Sequence, residues 1–181
     1  DWWRHVLPHR RRLADALLGV ASQRGADAGA VHALCHMIGS QNREQVLAPD
    51  WHIRELLKTS RRVALVGLDP DESSEAMLRA RKLLAYDFEL FPVHSTCSTL
   101  LGHACNAHLH DIRSDIDIVV LLPGGQDGTP LHVVGEAIRK RVRVFWFEDQ
   151  DADPELVDML VASGIQVVAN RSLEKEFQKL V

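Results

Sequence analysis

The run IDIVVLL, residues 116–122, is the feature that most constrains this chain. It is apolar at every position but Asp117, does not alternate, and is too short for a core helix. That pattern describes a strand covered on both faces, as in the middle of a parallel sheet. Parallel strands need crossover connections long enough to hold a helix, so helical runs should stand nearby. They do. VALV (63–66), FELFPV (88–93), VRVFWF (142–147) and IQVVA (165–169) read as further strands. Interleaved with them or following are MLRARKLLA (77–85), LHVVGEAIRKR (131–141), ELVDMLVA (155–162) and SLEKEFQKLV (172–181). Thr129–Pro130 opens one helix; Asp153, Pro154 and Gly164 cap, start and stop another. The expectation is an α/β fold with a doubly wound parallel sheet and helices on both faces.

Residues 1–49 read as an extra helical segment ahead of a sheet domain at 50–181. Leu13, Leu17, Leu18 and Ala21 recur at helical spacing up to Gly25, and Asp27 caps a second run through Ile38. These helices offer a surface for packing or for a homo-oligomer. Asp50 is expected to cap a third helix with Ile53, Leu56 and Leu57 on one face. Net charge is −4 overall. Residues 1–60 hold 8 Lys/Arg against 6 Asp/Glu, and 61–181 hold 13 against 19. An acidic main domain repels a polyphosphate backbone, which argues against nucleic-acid binding. No apolar stretch is long enough to span a bilayer. Cys35, Cys97 and Cys105 form no C-x-x-C and read as reduced thiols, which with the lack of a signal peptide points to the cytoplasm.

In such sheets ligands sit beyond the carboxyl ends of the strands where strand order reverses. That places a crevice between the loop after VALV (67–74) and the loop after IDIVVLL (123–130). The first offers Gly67, Leu68, Asp69, Ser73 and Ser74, and the second Pro123, Gly124 and Gly125. Val93 and His94 end the neighbouring strand, and Trp146 is placed at the rim, where an indole either stacks on a base or, the more ordinary role, seals the end of the sheet. Glycines let backbone amides approach a phosphate, and a helix start adds positive partial charge. NAD is disfavoured because 67–72 reads GLDPDE in place of G-x-G-x-x-G, and no acid follows FPV. His94, Cys97, His103, Cys105, His108 and His110 lie within seventeen residues. Their spacing matches no zinc finger or ribbon, so no metal is expected. No acid, base and nucleophile can be grouped, so an enzyme is the least favoured class.

The segments IRELLKTSRRVALVGL (53–68), FELFPV (88–93) and LLGHACNAHLHDI followed by IDIVVLL (100–122) succeed one another in a recognisable order. AIRKRVRVFWF (137–147) and ASGIQVVANRS (162–172) complete it. On them the chain, from about residue 50 to 180, resembles the small bacterial CoA-binding Rossmann proteins, relatives of the CoA-binding domain of the succinyl-CoA synthetase alpha subunit. The resemblance implies a Rossmann-like fold of CoA-binding type and CoA, or a related adenine nucleotide, in the crevice. The ligand loops depart from the family pattern. Asp69 stands in the place of a Ser, Pro123 in that of an Arg and Ser172 in that of a Cys. Asp69, Asp71, Glu72 and Glu75 crowd the phosphate position. Each carboxylate some 5–8 Å from a phosphate would cost about 0.5–3 kcal/mol unless a cation or a displaced Lys or Arg intervenes. Two readings follow: a non-catalytic CoA-binding protein with a divergent phosphate loop, or a protein-interaction or regulatory module with an empty nucleotide crevice.

Overall fold

The computed structural model describes residues 49–123 and 129–180. The expected helices before residue 49, with the oligomer surface assigned to them, lie outside the described residues, as do Gly124 and Gly125. In chain order the elements are α1 (Asp50–Thr59), β1 (Arg62–Val66), α2 (Glu75–Ala85) and β2 (Glu89–Val93). A small hairpin follows, β3 (Thr99–Leu100) and β4 (His103–Ala104), then a 3₁₀ turn at Leu109–Asp111. After these come β5 (Ile118–Leu121), α3 (Pro130–Lys140), β6 (Val144–Glu148), α4 (Pro154–Ala162), β7 (Gln166–Arg171) and α5 (Leu173–Leu180).

The main sheet has the order β2-β1-β5-β6-β7, and every neighbouring pair is parallel. From β1 the chain steps one way to β2 and later the other way to β5, so strand order reverses between β1 and β5. Alternation within each strand divides the core. Val63 and Leu65 of β1, with Ile118 and Val120 of β5, face a cluster that includes Ile53, Leu57, Leu83, Trp146 and Leu173. Ala64, Val66, Val119 and Leu121 face the other side, with Val133, Val134, Phe145 and Leu160. All four residues of β5 are buried, as a strand covered on both faces must be. Asp117, the one acid in that run, sits at the sheet's amino edge. Its Oδ2 accepts the amides of Arg61 and Arg62, each at 2.9 Å.

Two local expectations change. Asp50 lies in the first turn of α1, and Pro49 occupies the cap without a side-chain bond. The Asp50 carboxylate instead receives Arg171 Nη1 at 2.9 Å and Lys179 Nζ at 3.1 Å, tying α1 to the end of β7 and to α5. These bonds hold its pKa below the ordinary carboxylate value. Ile53, Leu56 and Leu57 do share the buried face of α1. The β3–β4 hairpin has only two residues per strand, too few to leave an alternation in sequence. It turns through Leu101 and Gly102, both at positive φ, the geometry of a tight hairpin loop. Among the described residues no helix is long and apolar enough to cross a membrane.

Candidate functional site

The reversal between β1 and β5 puts Gly67 directly after one strand and Leu122–Pro123 directly after the other. Leu122 N–H donates to Val66 O at 3.0 Å, holding the two exits side by side. Gly67 has φ +81°, a conformation that a side chain would strain, and it turns the chain away from the sheet. Leu68 is fully buried, so it anchors the turn and leaves only backbone to the crevice.

The next residues turn their carboxylates onto the amides and hydroxyl of their own loop. Asp69 Oδ1 accepts Asp71 N–H at 2.9 Å. Asp71 Oδ1 accepts the amide of Ser73 at 2.9 Å and its hydroxyl at 2.7 Å, which holds the Asp71 carboxyl below its ordinary range. These are short-range turns of the kind Asp forms before a helix. Ser74 then caps α2, its Oγ accepting Met77 N–H at 3.2 Å. Glu72 pairs with Arg81 at 3.1 Å, and Glu75 with Arg79 one turn along α2. Two of the four acids are therefore offset by arginines of the same helix. A helix start leaves orphan donors in its first turn, and the cap satisfies only one of them.

Arg79 is the residue that sequence reasoning missed. Its guanidinium reaches Glu75 and Asp149 and lies 3.6 Å from Glu148 Oε1. It lines a cavity of about 280 Å³ under α2 and the start of α5. Leu65, Val120 and Leu122 floor this cavity, and Pro123 lies on its wall. The available signal was the Glu75–Arg79 spacing of four on a helix. What aims the arginine is Glu148–Asp149 at the end of β6, which only the fold brings there. Glu148 is buried, and burial pushes its carboxyl up, while the Leu173 amide donating to Oε2 at 2.9 Å works against that.

The remaining predicted residues divide. Val93 is buried and serves through its backbone, bridging to Asn106. His94 follows it, half-buried, with Nδ1 accepting the amides of Thr96 at 3.2 Å and Cys97 at 3.1 Å. The imidazole thus shapes the loop after β2, and its contact with Cys97 is to the backbone. Pro123 is exposed at the crevice. Trp146 is a correction. It is fully buried beneath the sheet, and its indole N–H donates to Arg171 O at 2.7 Å, so it has no free face for a base. The strand runs on to Glu148, so Trp146 stands at its middle, and the sequence alone does not show which face of the sheet its side chain joins.

Comparison with known proteins places the chain in a family. Residues 61–178 match the family model described as a CoA-binding domain. The uncharacterised protein YneT of Bacillus subtilis (strain 168) is 32% identical over 124 residues, 64% of this chain and 84% of that protein. Among solved structures, a hypothetical protein from Pyrococcus horikoshii OT3 superposes with a TM-score of 0.66 at 29% identity, covering 74% of this chain and 92% of that one. A Thermus thermophilus structure described as cell-free ID.343 gives 0.66 at 25% identity, covering 74% of this chain and all of that one (100%).

Proposed function

Since the chain belongs to the CoA-binding domain family, we propose that it binds CoA, or a related adenine nucleotide, between the loops at 67–74 and 123–129 and does no chemistry on it. The supporting observation is the junction itself: Gly67 at φ +81°, the capped start of α2, and β5 leaving the sheet beside it at the reversal of strand order. Arg79 is a cation beside the acidic loop, and lending it to a ligand releases Glu75. It belongs to the helix whose amino end faces the crevice and shares a cavity with Pro123. A turn of its side chain away from Glu75 would present a forked cation to a diphosphate. At about 280 Å³ the cavity is small for a whole coenzyme, so it would hold one part while the open crevice holds the rest. We place the protein in the cytoplasm, where CoA is at hand.

Calorimetric titration of the full chain with CoA, acetyl-CoA, ADP and NADH tests the proposal. CoA and acetyl-CoA should bind with comparable affinity, ADP more weakly, and NADH not at all. No heat and no rise in Tm with millimolar CoA would reject it and favour the interaction module with an empty crevice.

A further inference from the structure

On the opposite face of the sheet from Arg79, three histidines surround a buried carboxylate. We infer that His108, His132 and Glu136 form a binding site for one divalent transition metal of borderline softness, Zn²⁺ foremost. His132 and Glu136 are one turn apart on α3 and present their side chains on the same face. His108 comes from the chain leading into the 3₁₀ turn, where its amide donates to Asp111 Oδ2 at 3.0 Å and fixes its backbone. One ligand atom from each of the three lies within 4.8 Å of the others.

Glu136 makes this more than a meeting of surface histidines. Its side chain is only 4% exposed, in a helix face otherwise made of Val133, Val134 and Ala137. Oε2 is taken by the Leu109 amide at 3.1 Å, which turns Oε1 outward toward the imidazoles. His108 Nδ1 and His132 Nε2 each lie 3.8 Å from Oε1, and His110 Nδ1 lies 2.8 Å from it. Among the described residues every ion-pair partner of this carboxylate is a histidine, none of which carries a charge unless protonated. Burying a carboxylate without a cation is costly.

The donor set selects the ion. Two imidazole nitrogens and one carboxylate oxygen suit zinc and its neighbours, while calcium and magnesium require oxygen donors. A tetrahedral site with bonds of about 2.0–2.1 Å spaces its ligand atoms about 3.3 Å apart. The two 3.8 Å separations from Oε1 therefore need to shrink by about half an ångström, and the pair of imidazole nitrogens, within 4.8 Å of each other, by up to about 1.5 Å. The half-exposed rings of His108 and His132 can make that movement while the buried carboxylate stays fixed. His110 bridges Glu136 and Asp111, with Nε2 3.3 Å from Asp111 Oδ1, and so positions the carboxylate or fills the fourth place.

The test is Co²⁺ titration of the chelator-stripped full chain, read by visible absorption and by elemental analysis of the dialysed protein, together with Zn²⁺ competition. The wild type should bind one more equivalent than His132→Ala and His108→Ala, with the intense absorption of four-coordinate cobalt, and Zn²⁺ should abolish that absorption. Metal should raise the Tm of the wild type and leave those two variants at their metal-free values. Both substitutions are on half-exposed rings, and circular dichroism of the metal-free proteins checks their folding. Failure of the wild type to bind, or equal stoichiometry in the wild type and both variants, would overturn the site. CoA plays no part in these measurements, so their outcome is separate from that of the binding proposal.

Discussion

Glu148 and Glu136 are both buried glutamates, one on each side of the same sheet, and they are compensated in different ways. Glu148, at the end of β6, has the permanent charge of Arg79 3.6 Å away and a backbone amide on its other oxygen. Glu136, on α3, has an equivalent amide but only imidazoles around its second oxygen. A carboxylate that meets an arginine is locally balanced, and the arginine is then divided among several acids. A carboxylate ringed by histidines is balanced only by protons or by a metal. The first arrangement suits a cation that can be lent to an anionic ligand, and the second a ligand that is itself a cation.

The largest expected effect comes from removing the shared arginine. Arg79→Ala leaves Glu148 and Asp149 without their guanidinium, and stripping one partner from a buried pair costs about 3 kcal/mol, measured as a lower urea midpoint. If Arg79 also serves the diphosphate, CoA affinity should fall by about ten-fold or more, as loss of one charge-assisted contact implies. Unchanged affinity in folded Arg79→Ala would confine it to structure. A smaller effect, of opposite sign, is expected at the loop. Asp69→Asn keeps an Oδ1 for the Asp71 amide while removing a charge, so CoA should bind about 2–10-fold tighter with the turn intact. Weaker binding in that variant would mean that the acid helps the ligand, as by holding a bridging cation.

Glu148→Gln should have the smallest effect, and it concerns pH. Burial raises the Glu148 carboxyl above its ordinary value of 4.5, so the folded state holds this proton more tightly than the unfolded chain. Its share of stability is then fully present below 4.5 and is lost as pH rises through the folded value. In Glu148→Gln that decline should vanish from the pH dependence of Tm. The change in stability at neutral pH should be within about 1 kcal/mol, since Gln still accepts the Leu173 amide. An unaltered pH profile would show that another group causes the decline.

The scaffold was legible because burial on two faces leaves a plain mark: IDIVVLL reads as a central strand, and the caps at Thr129 and Asp153 stand where α3 and α4 begin. The loops were partly legible. Gly67 takes the turn position expected of it, while Ser74, read as part of the ligand loop, is the residue that caps α2. Trp146 was misread because it stands in the middle of β6, not at its end, and the side it faces depends on register against its neighbours, here Val120 and Val168, which spacing alone does not fix. Arg79 and the histidine cluster were hidden for one common reason. Each is completed from a distant element, Glu148–Asp149 for the arginine and α3 for His108. The run of histidines and cysteines between 94 and 110 drew the eye to a zinc spacing it does not have. The acid that joins two of those histidines comes 26 residues after His110.

The most direct test is a crystal structure of the full chain grown with saturating CoA. The diphosphate should lie against Gly67–Ser74 beside Pro123, with the Arg79 guanidinium turned from Glu75 toward it. Coenzyme bound elsewhere on the surface, or an empty crevice with Arg79 still on Glu75, would contradict that placement.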